Sequence, residues 1–413
     1  MCVGAGKAVL RFPAEYFPHE GIADAHDDIH LRILLIEQVE RGAIISVELP
    51  SVRPFSLIDE LREYASGLLE IPADRIWFVV THNMAAPHVP KVEDVNGEQK
   101  RQMHLEAIRG AIREAAGKAK ETLQQARFGA DSGFCDVNGN RDIPTAEGWW
   151  LGINAPGPSD KTVSVLRFDR LDGTPIAILF HYAVKSAIID DEVMSDGYRH
   201  YSSDLTGRAC LHVEEHTGAT AFYLMGAAGD QVPKKMAKYY ETDADGRLVA
   251  VHHKERGYLW VEELGAQLAD QVLTVAGGIY CNTVDPAFSM GETRLAFEGQ
   301  YFVPDQWRNV PLKNYDYLPK RPTELEVFLM RLGDTVLVGV KPEYTCITGI
   351  QLRENSPFTH TLLVSMVNGG QGYMADRVAY ERVTFEATHS EFACGSAEKF
   401  VDRMNPVLTQ LKT

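Results

Sequence analysis

The 413-residue sequence predicts a mixed α/β protein in which sheets are flanked by helices. Three observations carry that class. Apolar runs of strand length, bounded by turn residues, recur along the chain. Segments with apolar residues at helical spacing lie between them. Reactive polar side chains stand where several apolar runs stop, as in sheets whose strand ends gather a ligand site.

Taken in order, apolar runs predict strands over 32–39, 43–49 and 76–81. FSLIDELREYASGLL, between the last two, has helical periodicity, and a long charged amphipathic helix is expected over about 99–125. An irregular insertion follows over about 128–161, rich in Gly, Asn, Asp and Pro. A stretch of that length is more often functional than filler. Strands are expected again over 162–168 and 175–184, joined by the turn RLDG, then a helix over 205–216 and the strand-like TAFYLM before GAAGDQVPK. A helix over 256–275 leads to strands over 324–330, 335–340 and 361–367, a short helix after Pro342 and a terminal helix from Ser396. No internal repeat interrupts this order, and 1–413 reads as a single domain.

The net charge of -16, with no compensating basic run, argues against a nucleic-acid partner and against docking on anionic lipid. The opening MCVGAGKAVLRFP lacks the apolar core of a signal peptide, and no apolar run is long enough to insert stably in a membrane. Six cysteines without CxxC spacing read as reduced thiols, so a cytoplasmic location is expected. The expected partner is a small-molecule substrate, and a homo-oligomer is compatible with the sequence.

Four strand exits supply the chemistry: His82 after WFVVT, Lys185 after LFHYAV, Asp230 after LMGAAG and Glu343 after VGVKP. Their placement suggests one convergent pocket. THNMAAPH adds a second histidine, His88, as a pocket-lining candidate. The small residues of GAAGD, Gly229 included, could offer backbone donors to an oxyanion. Lys185, if desolvated, could serve as base or nucleophile.

These stretches, in order, resemble blocks of the neutral ceramidase catalytic domain and its bacterial relatives. LLEIPADRIWFVVTHNMAAPH resembles the block ending in THTHSGP. NRDIPTAEGWWLG, with Asn140 and Arg141, and DKTVSVLRFDRLDGTPIAILFHYAVKSA resemble the next two. SDLTGRACLHVEEHTGATAFYLMGAAGDQVPK resembles the block ending in GDVSPN. KPEYTCITG resembles PGEFTTMAG, and NGGQGYMADRVAYE the last, tyrosine-bearing block. The immunoglobulin-like domain that follows in full-length ceramidases has no counterpart after these blocks.

The resemblance implies a zinc ion held by two histidines, a glutamate and a tyrosine, activating water for amide hydrolysis. His82, Glu343 and Tyr373 match three of those positions; the fourth, a histidine, is Lys185. The second histidine of THTH is Met84, and the serine of GDVSPN is Val232. Two readings stay open: zinc held by His82, Glu343 and Tyr373 with water, or no cofactor, with the Lys185 ammonium replacing the metal and neutralising Glu343. The implied catalytic set is His82, Lys185, Asp230, Glu343 and Tyr373, with His88, Gly229, Asn140 and Arg141 at the substrate. The expected function is an amide- or acyl-bond hydrolase, or an acyl transferase, acting on a small non-ceramide substrate in specialised biosynthesis. The alternative is a ligand-binding relative without catalysis.

Overall fold

The computed structural model describes residues 1–301 and 310–413. Its centre is an eight-stranded sheet in the order Thr220–Met225, Pro175–Tyr182, Thr162–Arg170, Gln124–Phe134, Cys2–Val9, His30–Glu37, Arg41–Val47, Ile76–Val80. The outermost pair at each end is parallel and the interior pairs are antiparallel. A second sheet of four strands, Phe288–Gln300, Pro319–Leu332, Thr335–Val340 and His360–Val364, lies against one face.

Alternation along the strands builds the layers. Ile33, Leu35, Ile45 and Phe78 face a core shared with the helices Ser56–Leu69, Gly97–Glu121, Asp204–Thr217 and Arg256–Gly278. Their neighbours Leu34, Ile36, Ile44 and Trp77 face Phe288, Met330 and Leu337 of the second sheet. The far side of that sheet packs on Phe400, Met404 and Leu408 of helix Ser396–Lys412. Helix, sheet, sheet, helix is the resulting order. Strands buried on both faces read as near-continuous apolar runs, which is why HLRILLIE and IWFVV stand out in the sequence.

Several expectations need correction. The span 128–161 is not irregular: Gln124–Phe134 joins the large sheet, while Asn138–Thr145, Gly148–Asn154 and Gln231–Pro233 form a three-stranded sheet. Its polar residues Asn138, Asn140, Arg141 and Asp142 are buried and belong to a strand ladder rather than a loop. The helix expected to reach 125 stops at Glu121, because Gln124 already pairs with Val3. Cys2–Val9 is a central strand that no apolar run announces. At Gly4 and Gly6 a Cβ would lie 2.0 and 2.1 Å from the Ala119 and Ala115 carbonyl oxygens, so the close approach of the helix excludes any side chain there. The strand expected over 361–367 ends at Val364, since Met366 and Asn368 have φ of 58° and 55°. Pro342 is followed first by the two-residue strand Glu343–Tyr344, and the helix begins at Cys346. Among the described residues no helix is long and apolar enough to cross a membrane.

Candidate active site

Two backbone junctions bring distant strand exits together. Past Ile76–Val80, Asn83 bridges Ser186, and the Met84 N–H donates to the Ser186 carbonyl at 2.8 Å. That junction sets His82 beside Lys185. Glu343–Tyr344 pairs in parallel with Tyr373–Met374, placing Glu343 opposite Tyr373.

His82 has φ of 55°, an uncommon conformation for a residue with a side chain. It is held there because Thr81 N–H and Asn83 N–H are tied to the Val47 and Leu49 carbonyls. Its Nδ1 lies 2.7 Å from the Pro50 carbonyl oxygen, which can only accept, so Nδ1 carries the proton. Nε2 is thereby turned inward, 3.5 Å from Glu343 Oε1.

Lys185 is 3% exposed, and its Nζ is ringed by three acceptors. Glu343 Oε2 is at 2.9 Å, the Gly229 carbonyl at 3.1 Å and the Tyr373 hydroxyl oxygen at 3.2 Å. The last two accept hydrogen bonds from the ammonium, while Glu343 meets it as an ion pair. The Tyr373 oxygen also accepts from Arg141 Nη2 at 3.3 Å, which leaves its own O–H as a donor facing away from both cations. Arg141 in turn donates from Nε and Nη2 to Glu386 Oε1, at 2.7 and 2.5 Å. Burial alone pushes the Glu343 carboxyl up, but Lys185, and His82 whenever its ring is protonated, outweigh it and hold it far below the usual carboxylate range. The same opposition lowers Glu386, where Arg141 and then Lys185 offset burial.

Asp230 faces the other way. Its Oδ1 accepts from the Cys346 N–H at 2.8 Å, and its Oδ2 from Asn140 Nδ2 at 3.0 Å, with Cys346 Sγ at 3.4 Å. Burial pushes this carboxyl up to about 7, with the Cys346 N–H opposing and Glu386 adding to it. It braces the GAAGD loop rather than meeting the ion cluster. Asn140 is likewise occupied, accepting from the Asp142 N–H at 2.9 Å. Gly229 cannot supply an oxyanion donor, since its N–H is spent on the Tyr344 carbonyl at 2.8 Å and its carbonyl points at Lys185. His88 stands apart from the cluster, with Nδ1 3.0 Å from Glu20 Oε2, and lines the adjoining cavity. Cys346 is buried, and burial and Asp230 raise its thiol well above the usual range.

Four participants were not among the sequence candidates. Glu386, in the short helix Phe385–Thr388, is fully enclosed and anchors Arg141. Asp142 lies beside it, its carboxyl raised well above normal by burial, Glu386 and Asp230. Phe385 and Asp190 line the cavity. Nothing local marks these residues; only the alternation in NRDIPT could have placed Asp142 near Asn140.

Whether these residues suit the zinc that the resemblance implies is a question of donors. The position opposite His82 holds an ammonium, which has no lone pair to give and would lie against a dication. Lys185 and Arg141 already balance Glu343 and Glu386, so a dication would arrive uncompensated in a buried site. Among the described residues no three His, Cys, Asp or Glu side chains are grouped to hold a metal. The set does not fit zinc as it stands.

A cavity of about 660 Å³ opens onto the cluster at Arg141 and Phe385. Met84 and Val232 line it, and they pack with Met236, Ala187, Ile153 and Tyr239 into one apolar wall.

No protein-family model matches the chain, and no curated protein matches it by sequence. Among the solved structures that share its fold are two ceramidases. One is a ceramidase complexed with C2, with a TM-score of 0.74 and 15% identity, covering 100% of this chain and 75% of that one. The other is a neutral ceramidase from Pseudomonas aeruginosa, with a TM-score of 0.69 and 15% identity, covering 99% and 74%. The chain has a neutral ceramidase-like fold, and at this identity the likeness extends to the fold alone.

Proposed function

We propose that the protein is an amide- or acyl-bond hydrolase, or an acyl transferase, that works on a small non-ceramide substrate with the Lys185 ammonium in place of a metal. The carrying observation is the linked set of Lys185, Glu343, Tyr373 and Arg141, which meets the 660 Å³ cavity through Arg141. Fixed cations in a dry site stabilise negative charge as it develops on a carbonyl oxygen under attack. Arg141 reaches the cavity itself, and Lys185 supplies charge from behind Tyr373.

In hydrolysis, water attacks the carbonyl carbon and gives its proton to His82 Nε2. The resulting imidazolium is stabilised by Glu343, 3.5 Å away. When the C–N bond breaks, that proton passes to the leaving nitrogen. An amine or hydroxyl in place of water gives acyl transfer with the same proton path. The cavity suits a drug-sized ligand by volume, and its charged rim of Glu20, Asp191, Arg199 and Lys238 disfavours two long alkyl chains.

The test is amine release from a panel of short N-acyl amides and from ceramide, with Lys185→Met beside the unchanged protein. Turnover should fall roughly 10²–10³-fold in the variant, the range for losing one preorganised charge donor. Undiminished turnover in Lys185→Met sinks the lysine-centred mechanism, and efficient cleavage of ceramide sinks the substrate reading. Saturable ligand binding without any turnover would favour a non-catalytic binding protein.

A further inference from the structure

We infer that the cavity selects a substrate carrying a primary amine beside an apolar or aromatic body, with Asp190 as the residue that takes the ammonium. The inference rests on reading this cavity as the substrate site. Its basis is a charge count along the walls. Asp191 is held by Arg199 at 3.3 Å and by Lys238 at 2.9 Å. Glu20 is held by His88 at 3.0 Å. Arg141 is held by Glu386. Asp190 also lines the cavity and is half-buried, yet among the described residues it takes no hydrogen bond or ion pair.

Burial, then Asp191, push the Asp190 carboxyl up to about 6, with Arg199 and His82 opposing and Asp204 adding to the rise. Arg199 and Lys238 act on it only through space, both being in direct contact with Asp191, so this half-buried carboxylate lacks the contacting partner that a ligand could supply. The position matters as much as the charge. Asp190 lines the same cavity as Arg141, the member of the cluster that reaches it. The same cavity is walled by Met84, Val232 and Met236, whose side chains offer no hydrogen-bond donor to a substrate. An apolar body against that wall, an ammonium on Asp190 and a carbonyl toward Arg141 use the three kinds of surface the cavity presents.

Two probes isolate the claim: N-acetyl-4-(aminomethyl)benzylamine and its alcohol counterpart, N-acetyl-4-(hydroxymethyl)benzylamine, titrated calorimetrically at pH 7.5. The unchanged protein should bind the amine roughly tenfold or more tightly than the alcohol, as a charge-assisted hydrogen bond implies. Asp190→Asn should bring the amine down to the affinity of the alcohol. Equal affinities in the unchanged protein, failure of both probes to bind, or a preference that survives Asp190→Asn each overturns the inference. The first comparison needs no variant, so misfolding of Asp190→Asn cannot rescue it. Lys185→Met separates this from the proposed chemistry: there the preference should persist while turnover falls. In that variant, loss of the preference would overturn the assignment to Asp190, whereas undiminished turnover with the preference kept would overturn the lysine-centred chemistry alone.

Discussion

Two ion networks buried among the described residues differ in what surrounds them. Beneath helix Asp204–Thr217, Arg32 pairs with Glu48 and, through Nε at 3.0 Å, with Glu214, which Lys7 reaches at 2.5 Å. Arg32 is 2% exposed and Glu48 1%. The second network runs from His82 through Glu343, Lys185, Tyr373 and Arg141 to Glu386. Its inner members are as enclosed as Arg32, but Tyr373 and His82 are only half-buried and Arg141 meets open space. Buried charge alone therefore says little about function. What separates the two is access, together with a histidine held at positive φ whose inner nitrogen is aimed at a carboxylate.

The sharpest way to break the comparison is to cut the enclosed network. Arg32→Met leaves Glu48 buried without its cation and should cost about 3–5 kcal/mol in urea unfolding, while the folded fraction keeps its turnover. Lys185→Met should also cost stability, because Glu343 is left buried with only His82 paired to it, but there the folded fraction should lose its turnover as well. If Arg32→Met kills turnover at undiminished stability, the division between the two regions is wrong.

A smaller effect sharpens the metal question. The unchanged protein should carry far less than stoichiometric zinc by mass spectrometry. Lys185→His removes the ammonium and adds a lone pair beside His82 and Glu343, so zinc uptake should rise. Stoichiometric zinc in the unchanged protein would overturn the donor reading.

The smallest expected effect concerns Asp230, which belongs to the scaffold of the second network. An aspartate loses its proton near 3.8 when unperturbed, whereas burial pushes Asp230 up to about 7. Between those values the folded state binds the proton more than the unfolded chain does, so its contribution to stability falls as pH rises through that window. Asp230→Asn should flatten this fall, measured as unfolding midpoints from pH 4 to 7. A pH profile unchanged by the substitution would mean that Asp230 does not titrate there.

Much of the second network was legible beforehand because its members sit at local landmarks. His82, Lys185 and Glu343 each follow an apolar run, and the ordered blocks resembling neutral ceramidases singled out Tyr373. Glu386 and Asp190 had no such landmark, lying in short polar connections where a carboxylate is ordinary. Asn140 and Asp230 stood in the right blocks but turned their side chains on each other. The strand Cys2–Val9 escaped notice because its glycines serve a helix packed against it, a contact absent from any local pattern.

By itself the sequence determined the layers, since strands buried on both faces must be apolar throughout and helices buried on one face must be periodic. It also determined that a lysine, a methionine and a valine stand where the neutral ceramidase blocks carry two histidines and a serine. Only the tertiary structure decided what that lysine does. Lys185 meets Glu343, Gly229 and Tyr373 through the Asn83–Ser186 bridge and the Glu343–Tyr373 pair, contacts that join segments far apart along the chain. Periodicity reports on a residue's own element, whereas a charge is neutralised by whatever the fold brings within about 4 Å of it.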